Sequence, residues 1–197
     1  QGGGPLIDIG THALDLTLWM MNNYKPKYVV GNTYHKLAQT ENAANAFGPW
    51  NPAEFTVEDS AFGFIVMENG ATIYLESSWA LNSLDVGEAQ TTLHGTQGGA
   101  DMKDGLRING ESDGMMYDKT MVLEPGGVDF YDGSGDDPAY LEAKQWIESI
   151  QNDTEPVVSP EQALVVTQIL EAIYQSAKTG APVYINQHKE ELGKILV

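Results

Sequence analysis

Two runs rich in β-branched and aromatic residues, Ser60 to Met67 and Thr72 to Trp79, flank Glu68-Asn69-Gly70-Ala71. Asn-Gly between apolar runs is the strongest short-range hairpin signal, so the two runs are adjacent antiparallel strands. Further strand-like pieces follow at Glu88 to His94, Ala100 to Met102, Leu106 to Ile108 and Lys119 to Leu123, joined by Gly-rich turns. No helical pattern separates successive strands, which excludes parallel crossover units and makes the series a meander.

The flanking segments complete the fold class. Lys27 to Leu37 reads as a strand through Tyr28, Val29, Val30, Thr33 and Tyr34, and Gln39 to Thr56 as a long irregular loop punctuated by Asn42, Asn45, Gly48, Pro49 and Pro52. Long loops in compact domains tend to have a task. Here that is substrate-side or subunit contact with Trp50 as anchor, or simple surface packing. Ala139 to Gln151 is helical, with Leu141, Trp146, Ile147 and Ile150 as its apolar residues. A second helix opens on Ser159-Pro160-Glu161, an N-cap followed by Pro at the first helical position. It presents Val166, Ile169, Leu170, Ile173 and Tyr174 on one face and stops at Gly180. Val183 to Ile185 adds a terminal strand. The expectation is an α+β domain, an open and mainly antiparallel sheet with helices on one face and the other face free for a partner.

At the other end of the chain, Leu6 to Asn22 reads as one apolar helix carrying polar groups along a single stripe. Asp8, His12 and Asp15 follow an i, i+4, i+7 spacing, which at 3.6 residues per turn confines them to roughly 60° of the helix surface. Trp19 extends the stripe. Ile9, Ala13, Leu14, Leu16, Met20 and Met21 surround it, so the helix is expected to be buried on most sides. Two readings stand side by side. In one, Asp8 or Thr11 caps the helix, His12 makes a single core hydrogen bond and Asp15 is solvated. In the other, two carboxylates orient an imidazole for proton transfer or, less favoured, a metal site. His35, His94 and His188 are scattered singly and do not complete a ligand set, so no metal is expected.

Composition narrows the partners. The formal charge is -18 with only ten Lys and Arg, spread from Lys25 to Lys194, so no basic stripe for nucleic acid or an anionic membrane can be drawn. No apolar run approaches the roughly 18 to 20 residues of a membrane helix. Acidic runs such as Asp136-Asp137 are solvated surface. The absence of cysteine excludes disulfides and thiolate chemistry. It says little about compartment, since cytosolic and exported proteins alike can lack cysteine; a cytoplasmic location is the expectation. The length suits one domain. No initiator Met or leader precedes Gln1, which is read as the start of an excised second domain.

The motif Gly2-Gly3-Gly4, three residues, Asp8, Gly10, His12, two residues, Asp15 resembles the opening of the second domain of the Gfo/Idh/MocA oxidoreductases, the family of glucose-fructose oxidoreductase and inositol dehydrogenase. Val57-Glu58-Asp59-Ser60-Ala61 at a strand entrance, the turn Glu68-Asn69-Gly70-Ala71, and Ser176-Ala177-Lys178-Thr179-Gly180-Ala181-Pro182-Val183 at the last helix end resemble that family in the same order. The opening motif is specific. The later matches are ordinary hairpin and helix chemistry and count through their order.

The resemblance implies a dihydrodipicolinate reductase-like C-terminal domain from a dehydrogenase that uses NAD or NADP on a polyol, sugar or sugar derivative. His12 is then the acid/base. Asp8 orients it or meets substrate hydroxyls, and Asp15 lies behind them or at a domain junction. Gly3 and Gly4 let the backbone approach substrate or the other domain. From their place on the strand, Trp79 with Ser77 and Ser78 either floors a substrate pocket or serves ordinary sheet packing. No Gly-x-Gly-x-x-Gly turn follows a strand here and no Glu-Lys-Pro segment occurs, so the Rossmann domain is absent from this chain. Cofactor contact is limited to the nicotinamide end at His12. Implied partners are that N-terminal Rossmann domain and a second copy, as homodimer or homotetramer, through the open sheet face. Two alternatives share the motif: an NAD-dependent glycosidase or lyase, and a non-catalytic sugar-binding or regulatory member.

Overall fold

The computed structural model describes residues 2–41, 48–84, 87, 90–121 and 138–185. Asn42, Asn45, Glu88, Leu123, the Asp136-Asp137 pair and His188 lie outside the described residues. The chain forms two compact units, one from residues 1–89 and 161–197 and the other from residues 90–160.

In the first unit, the strands β1 (Pro26–Tyr34), β2 (Ser60–Met67), β3 (Thr72–Ser78) and β8 (Val183–Tyr184) form one sheet in the order β3-β2-β1-β8. Every pairing is antiparallel. Side chains alternate across it as the period of two demands. Val29, Ala61, Gly63, Ile65, Met67, Ile73, Leu75 and Ser77 point inward, while Val30, Tyr34, Phe64, Tyr74 and Tyr184 are exposed on the outer face. The inner face is covered by α2 (Gly10–Met21) and α4 (Pro160–Thr179), whose Leu14, Leu18, Val166, Ile169, Leu170 and Ile173 close a single core with Leu6. Each fully buried Leu or Ile contributes about 1.5–3 kcal/mol through burial.

The close seating of α4 depends on two glycines. Gly31 of β1 and Gly63 of β2 are register partners, and a Cβ at either would lie 2.8 Å or 2.6 Å from Ile173. Two missing side chains on neighbouring strands thus make a trough for one isoleucine. The Ser176 hydroxyl oxygen accepts the Gly31 N–H at 3.0 Å, tying the same turn of α4 to β1.

The expected helix from Leu6 to Asn22 is two pieces. A four-residue helix α1 (Pro5–Asp8) ends at Ile9, and α2 starts at Gly10. The junction falls where Gly10 packs on β3. A Cβ at Gly10 would meet the Ser77 hydroxyl at 3.2 Å, and that hydroxyl donates to the Pro5 carbonyl at 2.5 Å. Asn22, left-handed at φ 45°, closes α2 where the sequence places its end.

In the second unit, β4 (Thr92–His94), β5 (Gly98–Asp101), β6 (Arg107–Ser112) and β7 (Met115–Thr120) form a separate antiparallel meander in the order β4-β5-β6-β7. The strand expected from Lys119 begins at Met115 instead. Asp113 and Gly114, both at positive φ, make the tight turn that starts it, a hairpin signal equal in kind to Asn-Gly. At Glu68-Asn69-Gly70-Ala71 only Gly70 is at positive φ, so that hairpin closes with a longer turn. Asp101 and Arg107 are register partners on β5 and β6 and form a two-pronged ion pair at 2.8 and 2.6 Å. The last element of this unit, α3 (Pro138–Asn152), leaves Trp146, Ile147 and Ile150 exposed. The α+β class stands, with the antiparallel strands divided between two sheets.

Candidate active site

The stripe does not sit where a helix buried on most sides would place it. Asp8 and His12 are exposed, Asp15 is half-buried, and Trp19 is 60% exposed, because α2 turns Leu14, Thr17 and Leu18 toward the sheet and the polar stripe away from it. Asp8 caps neither helix; α1 and α2 have no side-chain cap, and Thr11 instead donates to the Ile7 carbonyl at 2.6 Å.

Asp8 has a different partner. Its Oδ2 accepts the indole N–H of Trp79 at 2.9 Å. Trp79 follows β3 directly, its N–H bound to the Asp59 carbonyl at 2.9 Å and its ring edge-to-face with Phe55 at 6.0 Å. Asp8 and Trp79, 71 positions apart in sequence, are thus joined at the surface, with Trp79 still 41% exposed. The sequence placed both in a site; the sheet register brings them into contact.

Neither carboxylate touches the imidazole. Among the described residues the His12 side chain makes no hydrogen bond or ion pair, so spacing along one helical face has not produced a carboxylate-imidazole pair. Asp15 acts on Tyr24, whose hydroxyl is pushed above its ordinary pKa by burial and then by the Asp15 charge.

The other expected site residues divide. Trp50 donates its indole N–H to the Ala38 carbonyl at 2.7 Å and anchors its loop. Gly3 lies against Ile7. At Gly4 the backbone passes close to Glu58: a Cβ there would collide with the Glu58 side chain and lie 2.5 Å from its carbonyl oxygen. Ser77 and Ser78 are spent on the carbonyls of Pro5 and Asp59, so neither floors an open pocket. His35 is bound to the Val57 carbonyl at 2.9 Å.

Two carboxylates that the sequence gives no site role are buried at the entrance to β2. Asp59, 1% exposed, accepts the N–H groups of Lys36 and Ala38 at 2.5 and 3.0 Å and the Ser60 hydroxyl at 3.1 Å. Glu58, 4% exposed, accepts the Leu6 N–H at 3.2 Å and the Tyr174 hydroxyl at 2.7 Å. Burial, then the Glu58 hydrogen bond and charge, raises the Tyr174 pKa well above that of an ordinary phenol. The available signal was two consecutive acidic residues at the mouth of an apolar strand, where a solvated pair is out of place. Among the described residues no cluster of three or more His, Asp and Glu could hold a metal ion, and no helix is long and apolar enough to cross a membrane.

The chain belongs to the Gfo/Idh/MocA oxidoreductases, matching the description "Oxidoreductase family, C-terminal alpha/beta domain" over residues 1–185. It is 33% identical over 184 residues to D-glucoside 3-dehydrogenase of Escherichia coli (strain K12), covering 93% of this chain and 49% of that protein. The chain therefore spans about half the length of that relative. Among solved structures, an oxidoreductase domain protein from Kribbella flavida aligns with a TM-score of 0.69 at 20% identity, over 93% of this chain and 52% of that one. An Agrobacterium radiobacter oxidoreductase, in complex with NAD+, L-tartaric acid and magnesium, aligns with a TM-score of 0.63 at 20% identity, over 94% and 51%. These two likenesses establish the fold.

Proposed function

We propose that this chain is the substrate-binding half of an NAD(P)-dependent dehydrogenase that oxidises a hydroxyl of a sugar, glycoside or polyol, with His12 as the acid/base. The observation that carries the reading is the Asp8–Trp79 pair beside an exposed His12, on a chain one-third identical to a glucoside dehydrogenase. A carbohydrate presents both hydroxyls and an apolar C–H face, and this surface offers a counterpart to each. The exposed indole of Trp79 suits the C–H face. The Asp8 carboxylate, with one oxygen engaged by Trp79, keeps acceptor capacity for a hydroxyl. His12, unattached to any described neighbour, is available to take the proton of the hydroxyl being oxidised. Asp15, three residues further along α2, adds negative charge to the same face of the helix.

When bound, the nicotinamide accepts the hydride. The described strands of this chain are all antiparallel, and no strand-turn-helix cradle for a pyrophosphate occurs among them. The residues here do not fit that end of the dinucleotide, so we assign it to an N-terminal Rossmann domain as partner and keep only the substrate end for this chain. The outer sheet face, with Tyr34, Phe64, Tyr74 and Tyr184 exposed, is the surface we propose for pairing with a second copy.

The test is reduction of NAD+ or NADP+ by the full-length protein over a panel of glucosides, free sugars and polyols, with aryl glycosides included. Stoichiometric NAD(P)H with a keto-sugar product supports a dehydrogenase. Cleavage of aryl glycosides without net NADH would replace it with a lyase or glycosidase. Sugar binding without turnover would make it a binding member.

A further inference from the structure

Glu58 belongs to none of the groups the mechanism uses, yet it is a carboxylate removed from water against α1, the short helix that carries Asp8 and leads into α2 and His12. Burying such a group is costly unless hydrogen bonds replace its hydration. Here one oxygen, Oε1, serves two elements, accepting from the Leu6 N–H at 3.2 Å in α1 and from the Tyr174 hydroxyl at 2.7 Å in α4. The Leu6 amide is among the first amides of its helix, which have no partner within the helix. The backbone entering α1 passes so close that a Cβ at Gly4 would stand 2.5 Å from the same Oε1. Gly4, Leu6 and Tyr174 therefore converge on one carboxylate from three directions. Tyr174, whose proton is held firmly by burial and by that carboxylate, remains a donor through the physiological range.

We infer that Glu58, braced by Tyr174, is a positioning residue for the proposed reaction: it sets where α1 begins and so where Asp8 and His12 leave the surface. Glu58 itself touches no substrate. The far end of α1 is pinned separately by the Trp79 bond to Asp8, so the short helix is held at both ends by elements distant in sequence. Placement errors of about 1 Å at reacting groups cost on the order of 100-fold in rate, which is why such a brace bears on turnover as well as on stability.

The inference rests on the dehydrogenase reading, and the experiment separates the two. In the full-length protein, Glu58→Ala, Glu58→Gln, Tyr174→Phe, Gly4→Ala and His12→Ala are assayed with the best substrate of the panel. The indole N–H resonance of Trp79 is followed by NMR in each. Glu58→Ala should lower kcat about 10- to 100-fold with little change in cofactor KM, increase the primary deuterium isotope effect on kcat, and shift the Trp79 resonance. Glu58→Gln keeps an acceptor oxygen and should restore kcat to within a few-fold, with the Trp79 resonance back in place. Tyr174→Phe should fall between them. The inference is overturned if Glu58→Ala lowers only the melting temperature while folded enzyme keeps wild-type kcat, isotope effect and Trp79 resonance. Should Glu58→Ala fail to fold, Gly4→Ala and Tyr174→Phe decide the matter by the same three readouts. Full turnover in His12→Ala would sink the acid/base role of His12, and no NAD(P)H from any substrate of the panel would sink the dehydrogenase reading; in either case the Trp79 resonance still reports whether Glu58 positions α1.

Discussion

Gly31→Ala should destabilise the first unit by about 1–2 kcal/mol, and the structure says where that cost arises. A Cβ at Gly31 would lie 2.8 Å from Ile173 Cγ2 and 2.8 Å from the Phe62 carbonyl oxygen. Carbon–carbon contacts are comfortable at about 3.5–4.0 Å, so roughly 0.7–1.2 Å of relief is needed. Ile173 is fully buried and, being β-branched in a helix, has one strongly preferred rotamer. The Phe62 oxygen is backbone. Relief must then come from moving α4 or the sheet, at the 1–3 kcal/mol typical of overpacking, offset by about 0.4–1 kcal/mol from the stiffer unfolded chain. At Gly63 the closest atom is only Ile173 Cδ1, at 2.6 Å, the end of the side chain. Ile173→Val deletes that atom. Added to Ile173→Val, Gly63→Ala should therefore cost less than about 0.5 kcal/mol, while Gly31→Ala keeps its full penalty because Cγ2 and the carbonyl remain. Urea unfolding with unchanged m-values compares wild type with all five variants. A Gly31→Ala midpoint equal to wild type, or equal rescue of both glycine variants by Ile173→Val, would refute the trough. Because Tyr174 follows Ile173, displacement of α4 should also loosen the Tyr174–Glu58 bond.

Four further outcomes are expected. In the full-length enzyme His12→Ala should lower kcat roughly 100- to 10,000-fold and Asp8→Asn less, since an amide still accepts the Trp79 N–H; stopped-flow hydride transfer measures both. Trp79→Phe keeps the ring and loses that N–H, so it should raise sugar KM less than Trp79→Ala, and equal effects would remove the stacking role. The Tyr174 pKa is raised on folding, so its contribution is complete below about pH 10 and is lost as pH rises through the folded-state value. Wild type should accordingly lose stability more steeply than Tyr174→Phe in alkaline melts. Arg107 holds the Asp101 carboxyl below its ordinary pKa, chiefly by hydrogen bonding, so that contribution is present above about pH 4 and fades as pH falls. The melting difference between wild type and Arg107→Gln should shrink toward zero in acid.

Much of the architecture is legible residue by residue. The bounds of β2, the end of α2 at Asn22, the start of α4 at Pro160 and its stop at Gly180 follow from local chemistry: a turn signal, a left-handed residue, a proline at the first helical position and a glycine without a Cβ. The start of β7 at Met115 is legible too, through the Asp113-Gly114 turn that immediately precedes it. The division into two sheets was not, because alternation reports which side of a strand is apolar and not which strand it pairs with.

The candidate site shows the same split. The order Asp8, His12, Asp15 and the flanking glycines are covalent facts, and helical periodicity alone puts the three side chains on one stripe. Whether that stripe faces core or solvent depends on which other face of α2 is more apolar and on what the sheet offers it, and the sheet takes Leu14, Thr17 and Leu18. Trp79 reaches Asp8, Ser77 reaches Pro5, and Glu58 reaches Leu6 and Tyr174 only because β2 and β3 are in register and α4 crosses β1 and β2 at Gly31 and Gly63. Such contacts span 52 to 116 positions of chain. Local propensity has no term for them, since a hydrogen bond between distant segments exists only after packing has paid the entropy of bringing them together.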